Sequence, residues 1–313
     1  MSDKHLLTII FIVLLLVTFV VDLLALNTRE KEVSVKKSLL SAGLWALSAI
    51  IFGGFLFIFI GKELGLQYIT GYLVEESLSL DNLFVFILIF SYFKVPERYQ
   101  HRALAWGIVG AIVLRGVFIF AGIELIRHFH WSLYILGAFL IYTAIKLFFK
   151  SDEEVDLENN IVLKFVKRHL PLTNQYHKDH FFIRRVEDGK KMATPMLVVL
   201  LIIATTDLVF AIDSIPTILG ISQDTLVVYT SNIYAVMGLR SLFFALSTLI
   251  KYFHYLHHGL AIILFFIGAK MIAEYWFKIP VELALGFVFL VLILSALLSL
   301  IRQRRLGPQN FPH

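Results

Sequence analysis

Apolar residues fill this chain in blocks of about 20, the length a helix needs to cross roughly 30 Å of hydrocarbon. Nine such blocks recur, at 6–26, 38–60, 69–92, 103–126, 131–149, 194–218, 226–249, 258–276 and 280–301. The pattern predicts an all-α membrane protein of about nine transmembrane helices. The first block has only Lys4 ahead of it, is too long for the core of a signal peptide and is followed by no small-residue cleavage site, so it reads as a retained span.

The rhythm breaks once, over 150–193. There SDEEVDLENN is acidic and reads as solvated, while IVLKFVKRHLPL alternates apolar and basic residues at helical spacing and is expected to lie along the inner membrane surface. HFFIRRVEDGKKMATP then sets Asp188-Gly189 between two β-prone runs, the signal of a tight hairpin. The expected organisation is 1–68 with the first two spans, 69–149 as a three-helix unit, 150–193 as a cytoplasmic loop, 194–276 as a second three-helix unit, and 277–313 with the last span and a basic tail.

Composition and charge sharpen this picture. With 58% hydrophobic and 16% charged residues the chain is too apolar for a soluble domain of its length. If the N-terminus is outside, the cytoplasmic segments hold 20 Lys plus Arg and the outer segments 4, which orients the N-terminus outside and the C-terminus in the cytoplasm. The net charge of +5 is then a consequence of topology and calls for no nucleic-acid partner.

Against that background, GYLVEESLSLDNLFVF places Glu75, Glu76 and Asp81 inside a span. Other spans carry Arg115, Lys146, Asp207, Asp213, Arg240 and Lys270. A charge at the bilayer centre costs on the order of 3 kcal/mol, so nine of them cost about 25 kcal/mol before pairing and mark a functional region by default. A purely structural charge network is the competing reading. What favours function is a duplication. Glu75 to Asp81 is a step of six, as is Asp207 to Asp213; GIVGAIVLRG and NIYAVMGLRS then end at Arg115 and Arg240, and Lys146 and Lys270 follow 31 and 30 residues later. Because each unit has three spans, the second enters the membrane from the opposite side, an inverted repeat of the kind that exposes one midplane site alternately to either face.

On a regular helix Glu75, Ser79 and Asn82 share one face, and so do Asp207, Ala211 and Ser214. Asp81 and Asp213 would point about 120° away, so local unwinding near the Ser-rich ESLSLD and near Pro216 is expected to bring them in. Donor chemistry follows by elimination. The chain has no cysteine and no histidine deep in a span, which leaves carboxylate, amide and hydroxyl oxygen, a hard set suited to Mn²⁺, Mg²⁺ or Ca²⁺. Candidate ligands are Glu75, Asp81, Asn82, Asp207 and Asp213, with Arg115, Arg240, Lys146 and Lys270 as charge partners and Glu76, Ser214 and Asn232 as further candidates. His128 and His130 beside Trp131, and His254, His257 and His258, read as interfacial belts, and Glu124, Glu274 and Glu282 as span-end residues.

GYLVEESLSLDNLFVFILIFSYFKVP, GIVGAIVLRG, DLVFAIDSIPTI and SNIYAVMGLRSLFF resemble the signature segments of the TerC family of bacterial membrane proteins, and the likeness extends over about 10–300. That family is named for tellurium resistance, is grouped with the lysine-exporter superfamily and includes members that export Mn²⁺. The resemblance implies a plasma-membrane exporter whose acidic site positions correspond to Glu75, Asp81, Asn82, Asp207 and Asp213, and it favours Mn²⁺ over the other hard cations. Asp22 fits the family pattern too. No prosthetic group is implied.

Enzyme classes fit poorly, since the Gly-x-Gly-Asp motif of intramembrane aspartyl proteases is missing and a rhomboid-type serine would have no intramembrane histidine partner. Two non-enzymatic alternatives stay open: a membrane scaffold or helper of exoprotein maturation, and an exporter of another small cationic solute.

Overall fold

The computed structural model describes residues 3–26, 35–129, 131–149, 171–173, 176, 180–184, 191–246, 255–273, 276–277 and 279–306. Among these the chain forms α1 (Asp3–Leu26), α2 (Val35–Phe59), α3 (Lys62–Tyr92), α4 (Glu97–His128), α5 (Ser132–Phe149), β1 (Phe182–Arg184), β2 (Lys191–Ala193), α6 (Pro195–Ile221), α7 (Thr225–Leu246), α8 (Leu256–Ala273) and α9 (Val281–Leu306). Seven helices, all but α3 and α8, are long and apolar enough to cross a membrane. The two exceptions have physical reasons: α3 carries Glu63, Glu75, Glu76 and Asp81, and the apolar stretch of α8 is the shorter His258–Ala273. The stretches within 151–170, the Asp188-Gly189 turn, His130, His254, Glu274 and the tail after 306 lie outside the described residues.

Helix ends follow local chemistry. Gly61 sits at φ 124, a region open to glycine, and lets α2 turn into α3, while a Cβ on Gly65 would lie 2.9 Å from Phe57 Cα. α3 closes with Lys94 at φ 48, with Val95 N–H donating to Phe90 O at 2.9 Å and Lys94 N–H to Ser91 O at 3.0 Å, the paired bonds of a left-handed helix cap. Pro195 starts α6 at a position where its missing N–H is harmless, and Thr194 Oγ1 ties that start to His180 O at 2.6 Å. β1 and β2 pair antiparallel with Ile183 opposite Met192. Tyr176 donates to Phe93 O at 2.7 Å, and burial pushes its phenol up to about 12.

α3 and α6 are continuous helices through Asp81 and through Asp213 to Pro216, which corrects the expected unwinding. A regular helix keeps its backbone groups paired in an apolar surround, where each opened one would cost several kcal/mol, and Pro216 alone gives up one bond inside α6.

Packing follows a reciprocal scheme. α4 runs parallel to α6, with Gly107 against Ile203 and Gly122 against Leu219, and α3 runs parallel to α7, with Gly71 near Ser231 and the Phe90 ring 5.3 Å from Phe243. Three other pairs run antiparallel. In α3 and α6, Gly71 meets Ile218 while Phe86 and Ile203 line one cavity; in α4 and α7, Tyr229 donates to Gly116 O while Leu104 and Leu239 line the same cavity. In α5 and α8, Gly137 meets Gly268 backbone to backbone and the Phe148 ring lies 5.4 Å from His258. α7 is central, with 72% of its span buried against 17% for α1, whose exposed Ile12, Leu16 and Val20 form an apolar outer face.

Candidate functional site

Where α3, α4, α6 and α7 meet, three charged side chains are sealed from solvent: Glu75 (1% exposed), Arg115 (2%) and Asp207 (2%). Burial leaves these three charges without water, so they are compensated by one another. Arg115 donates from Nε to Asp207 Oδ2 at 3.1 Å, from Nη2 to Asp207 Oδ1 at 3.2 Å and from Nη1 to Glu75 Oε2 at 2.9 Å. A longer Nη1 contact of 3.4 Å reaches Ser214 Oγ. The guanidinium fork suits this bidentate geometry, and its single positive charge leaves the two carboxylates net negative.

Polar atoms without partners gather beside it. Glu75 Oε1 and the Asn232 amide nitrogen face each other without closing a hydrogen bond of good geometry, and buried Ser79 Oγ, one turn along from Glu75, has no partner among the described residues. Buried oxygens and amides left unsatisfied are rare and costly. Glu75 Oε1 and Ser79 Oγ are thus oxygens of the hard donor set with the Asn232 amide as their nearest protein donor, and Glu76 Oε2, on another side of α3, is unpartnered among the described residues as well.

Glu76 points to another side of α3. Tyr72 lies against its carboxylate, and the carboxylate approaches Gly238 near Trp45. Asn82 is buried on α3; the side chains of Asp81 and Asp213 lie outside the described residues. Among the described residues no three Asp, Glu or His side chains converge as a metal cage.

The structure brings together two predicted acids, one predicted arginine and Ser214, and sends the other bases elsewhere. Lys146 is exposed in the last turn of α5. Lys270 donates to Gly220 O at 3.2 Å, at the end of α6. Arg240 pairs with Asp22 of α1, whose carboxylate also accepts from Ser41, itself 2.7 Å from Ser241 Oγ. His101 belongs to this second cluster: stacked on Phe244 at 4.2 Å, it feels both Arg240 and Asp22, and its Nε2 has no partner among the described residues. Sequence reading placed no histidine deep in a span. α4 begins at Glu97, six residues before the apolar block, and carries His101 into the bundle. Glu124 pairs with Arg127 at 2.9 Å and Glu282 with Lys62 at 2.8 Å, both at helix ends.

Comparison with known proteins places this arrangement. The chain is 42% identical to an uncharacterized membrane protein of Myxococcus xanthus over 94% of this chain and 92% of that one. It is 39% identical to an uncharacterized membrane protein of Rickettsia bellii, covering 94% and 97%. It is also 37% identical to a Salmonella typhi protein provisionally named membrane-bound redox modulator Alx, covering 92% of each chain. No solved structure matches it. The sequence pattern described as the integral membrane protein TerC family matches residues 60–306, most of the chain and all three members of the buried charge cluster. The chain belongs to the TerC family of integral membrane proteins.

Proposed function

We propose that this protein exports a divalent cation, Mn²⁺ as the leading substrate, across the bacterial plasma membrane. The observation that carries the reading is one buried arginine joining Glu75 and Asp207, acids at matching positions of the two three-helix units. A structural ion pair needs one acid; a guanidinium shared between two, with Glu75 Oε1 left over, resembles a monovalent cation holding a site built for a divalent one. In this reading Mn²⁺ displaces Arg115 and takes oxygen from Glu75 and Asp207, with Asp81, Asp213 and Asn82 completing the set. Lys146 and Lys270 act away from the acids, at helix ends.

All nine helices cross the membrane in this proposal, α3 included, because its acids are covered by α4, α6 and α7. The reciprocal packing supports an inverted repeat: each helix of the first unit runs antiparallel to its counterpart, as alternating access requires. The N-terminus lies outside and the C-terminus inside, and no enzymatic step is needed. The provisional name of the Salmonella typhi relative suggests redox modulation. This chain has no cysteine for thiol exchange, so such an effect would run through cellular metal content.

Purified protein in liposomes tests the proposal. Mn²⁺ flux is expected from the parent and near-background flux from Asp81→Asn and Asp213→Asn, since an amide offers a dipole where a hard dication needs an anionic oxygen. A parent that moves none of Mn²⁺, Mg²⁺ or Ca²⁺ overturns divalent-cation export and leaves the scaffold reading and export of another cationic solute.

A further inference from the structure

Arg115 and Arg240 stand at matching places in the two units, yet they are held differently. Arg115, on α4, takes both unit acids. Arg240, on α7, is held by Asp22 of α1, a helix outside both units. The surroundings are otherwise reciprocal. α4 lies parallel to α6 as α7 lies parallel to α3, and the contact of Gly107 with Ile203 has its counterpart in that of Gly71 with Ser231. Exchanging the two units converts the pairing of Arg115 with Asp207 into one of Arg240 with Glu75. The acceptors that would receive Arg240 are not held by Arg115: Glu75 Oε1, which faces only the Asn232 amide nitrogen, and buried Ser79 Oγ, which has no partner among the described residues.

Only one arginine fits at a time. With Arg115 in place, three of the four carboxylate oxygens of Glu75 and Asp207 accept from it, which leaves a second guanidinium a single oxygen. A guanidinium off the acids is costly at this depth unless another anion meets it, and among the described residues only Arg240 has one, so the state with Arg115 on the acids is the favoured one. Asp22 supplies that anion for Arg240 in the present state, and Ser41 and Ser241 satisfy the rest of its carboxylate.

We propose that Asp22 is a positioning residue that holds Arg240 off the Glu75 and Asp207 carboxylates, and that Arg240 and Arg115 take turns on those carboxylates as the protein alternates between its two faces. The inference rests on the export reading above. Asp22 lies outside the repeat, so it breaks the equivalence of the two states and sets which of them predominates.

The chain has no cysteine, so single reporters can be introduced without background: Ala111→Cys, beside Asp207 toward the end of the bundle that carries β1 and β2, and Ile215→Cys, toward the opposite end. Labelling rates with a membrane-impermeant maleimide report which face is open. Asp22→Asn is expected to shift the ratio of the two rates at least tenfold, the change that a bias of about 1.4 kcal/mol produces. Asp22→Glu keeps the parent ratio. Adding Arg240→Gln to Asp22→Asn abolishes the shift, because Asp22 acts only through Arg240. Arg240→Gln alone holds the protein in the parent state. A folded Asp22→Asn protein with an unchanged ratio overturns the proposal, as does a shift that survives without Arg240. Should Asp22→Asn fail to accumulate, a folded Arg240→Gln protein that moves Mn²⁺ across liposomes as fast as the parent overturns it as well, since without Arg240 the exchange cannot occur. Failure of the export reading is a separate result, the absence of cation flux from the parent, whereas failure here is flux with labelling indifferent to Asp22.

Discussion

Arg115 compensates two carboxylates at once, so removing it differs from removing either acid. Arg115→Leu leaves Glu75 and Asp207 facing each other without a counter-charge in a site under 3% exposed, a loss of about 3–5 kcal/mol on the scale of broken buried pairs. Thermal unfolding of the detergent-solubilised protein should register it as a large fall in midpoint. Asp207→Asn should cost less, since Glu75 still pairs with the arginine. Arg115→Lys should fall between them, because an ammonium keeps the charge and gives up the fork that grips both Asp207 oxygens. Equal midpoints for Arg115→Leu and the parent would mean that the three charges do not stabilise one another.

At the scale of elements, α5 and α8 depend on the absence of side chains. A Cβ on Gly137 would lie 2.9 Å from Gly268 O, and one on Gly268 would lie 2.7 Å from Gly137 O. Both neighbours are backbone, so neither can swing aside. Such close approach is how helices associate in lipid, where no hydrophobic drive exists between them. Gly137→Val and Gly268→Val should each separate the pair and cost about 1–3 kcal/mol, as overpacking does. Gly43→Val, on α2 with nothing within 4 Å of its would-be Cβ, is the control expected to stay near the parent in the same unfolding measurement.

For the whole molecule, the proposed orientation makes a prediction that no internal contact can influence. Lys4 pairs with Asp224 at 2.7 Å, which puts the start of α1 and the start of α7 at one end of the bundle, opposite the end bearing β1 and β2. In whole cells a cysteine introduced at Asp3 should react with an impermeant maleimide, and one at Lys191 only after the membrane is opened. The reverse pattern would invert the proposed topology.

The hydrophobic blocks were enough to mark where helices run, because lipid imposes one requirement on every span and composition records it directly. The duplicated acids and arginines were visible for a related reason: charge in such blocks is too expensive to be incidental. Which base meets which acid was not visible. Arg115 reaches Asp207 across 92 residues and Arg240 reaches Asp22 across 218, and both matches depend on how helices are placed around α7. The sequence made both arginines charge partners of the repeated acids; the fold gives Glu75 and Asp207 to Arg115 and pairs Arg240 with a residue outside the repeat. Spacing along one helix fixes the face on which a side chain emerges, whereas its partner is fixed by the neighbour that packs there, and that is decided only when the helices assemble.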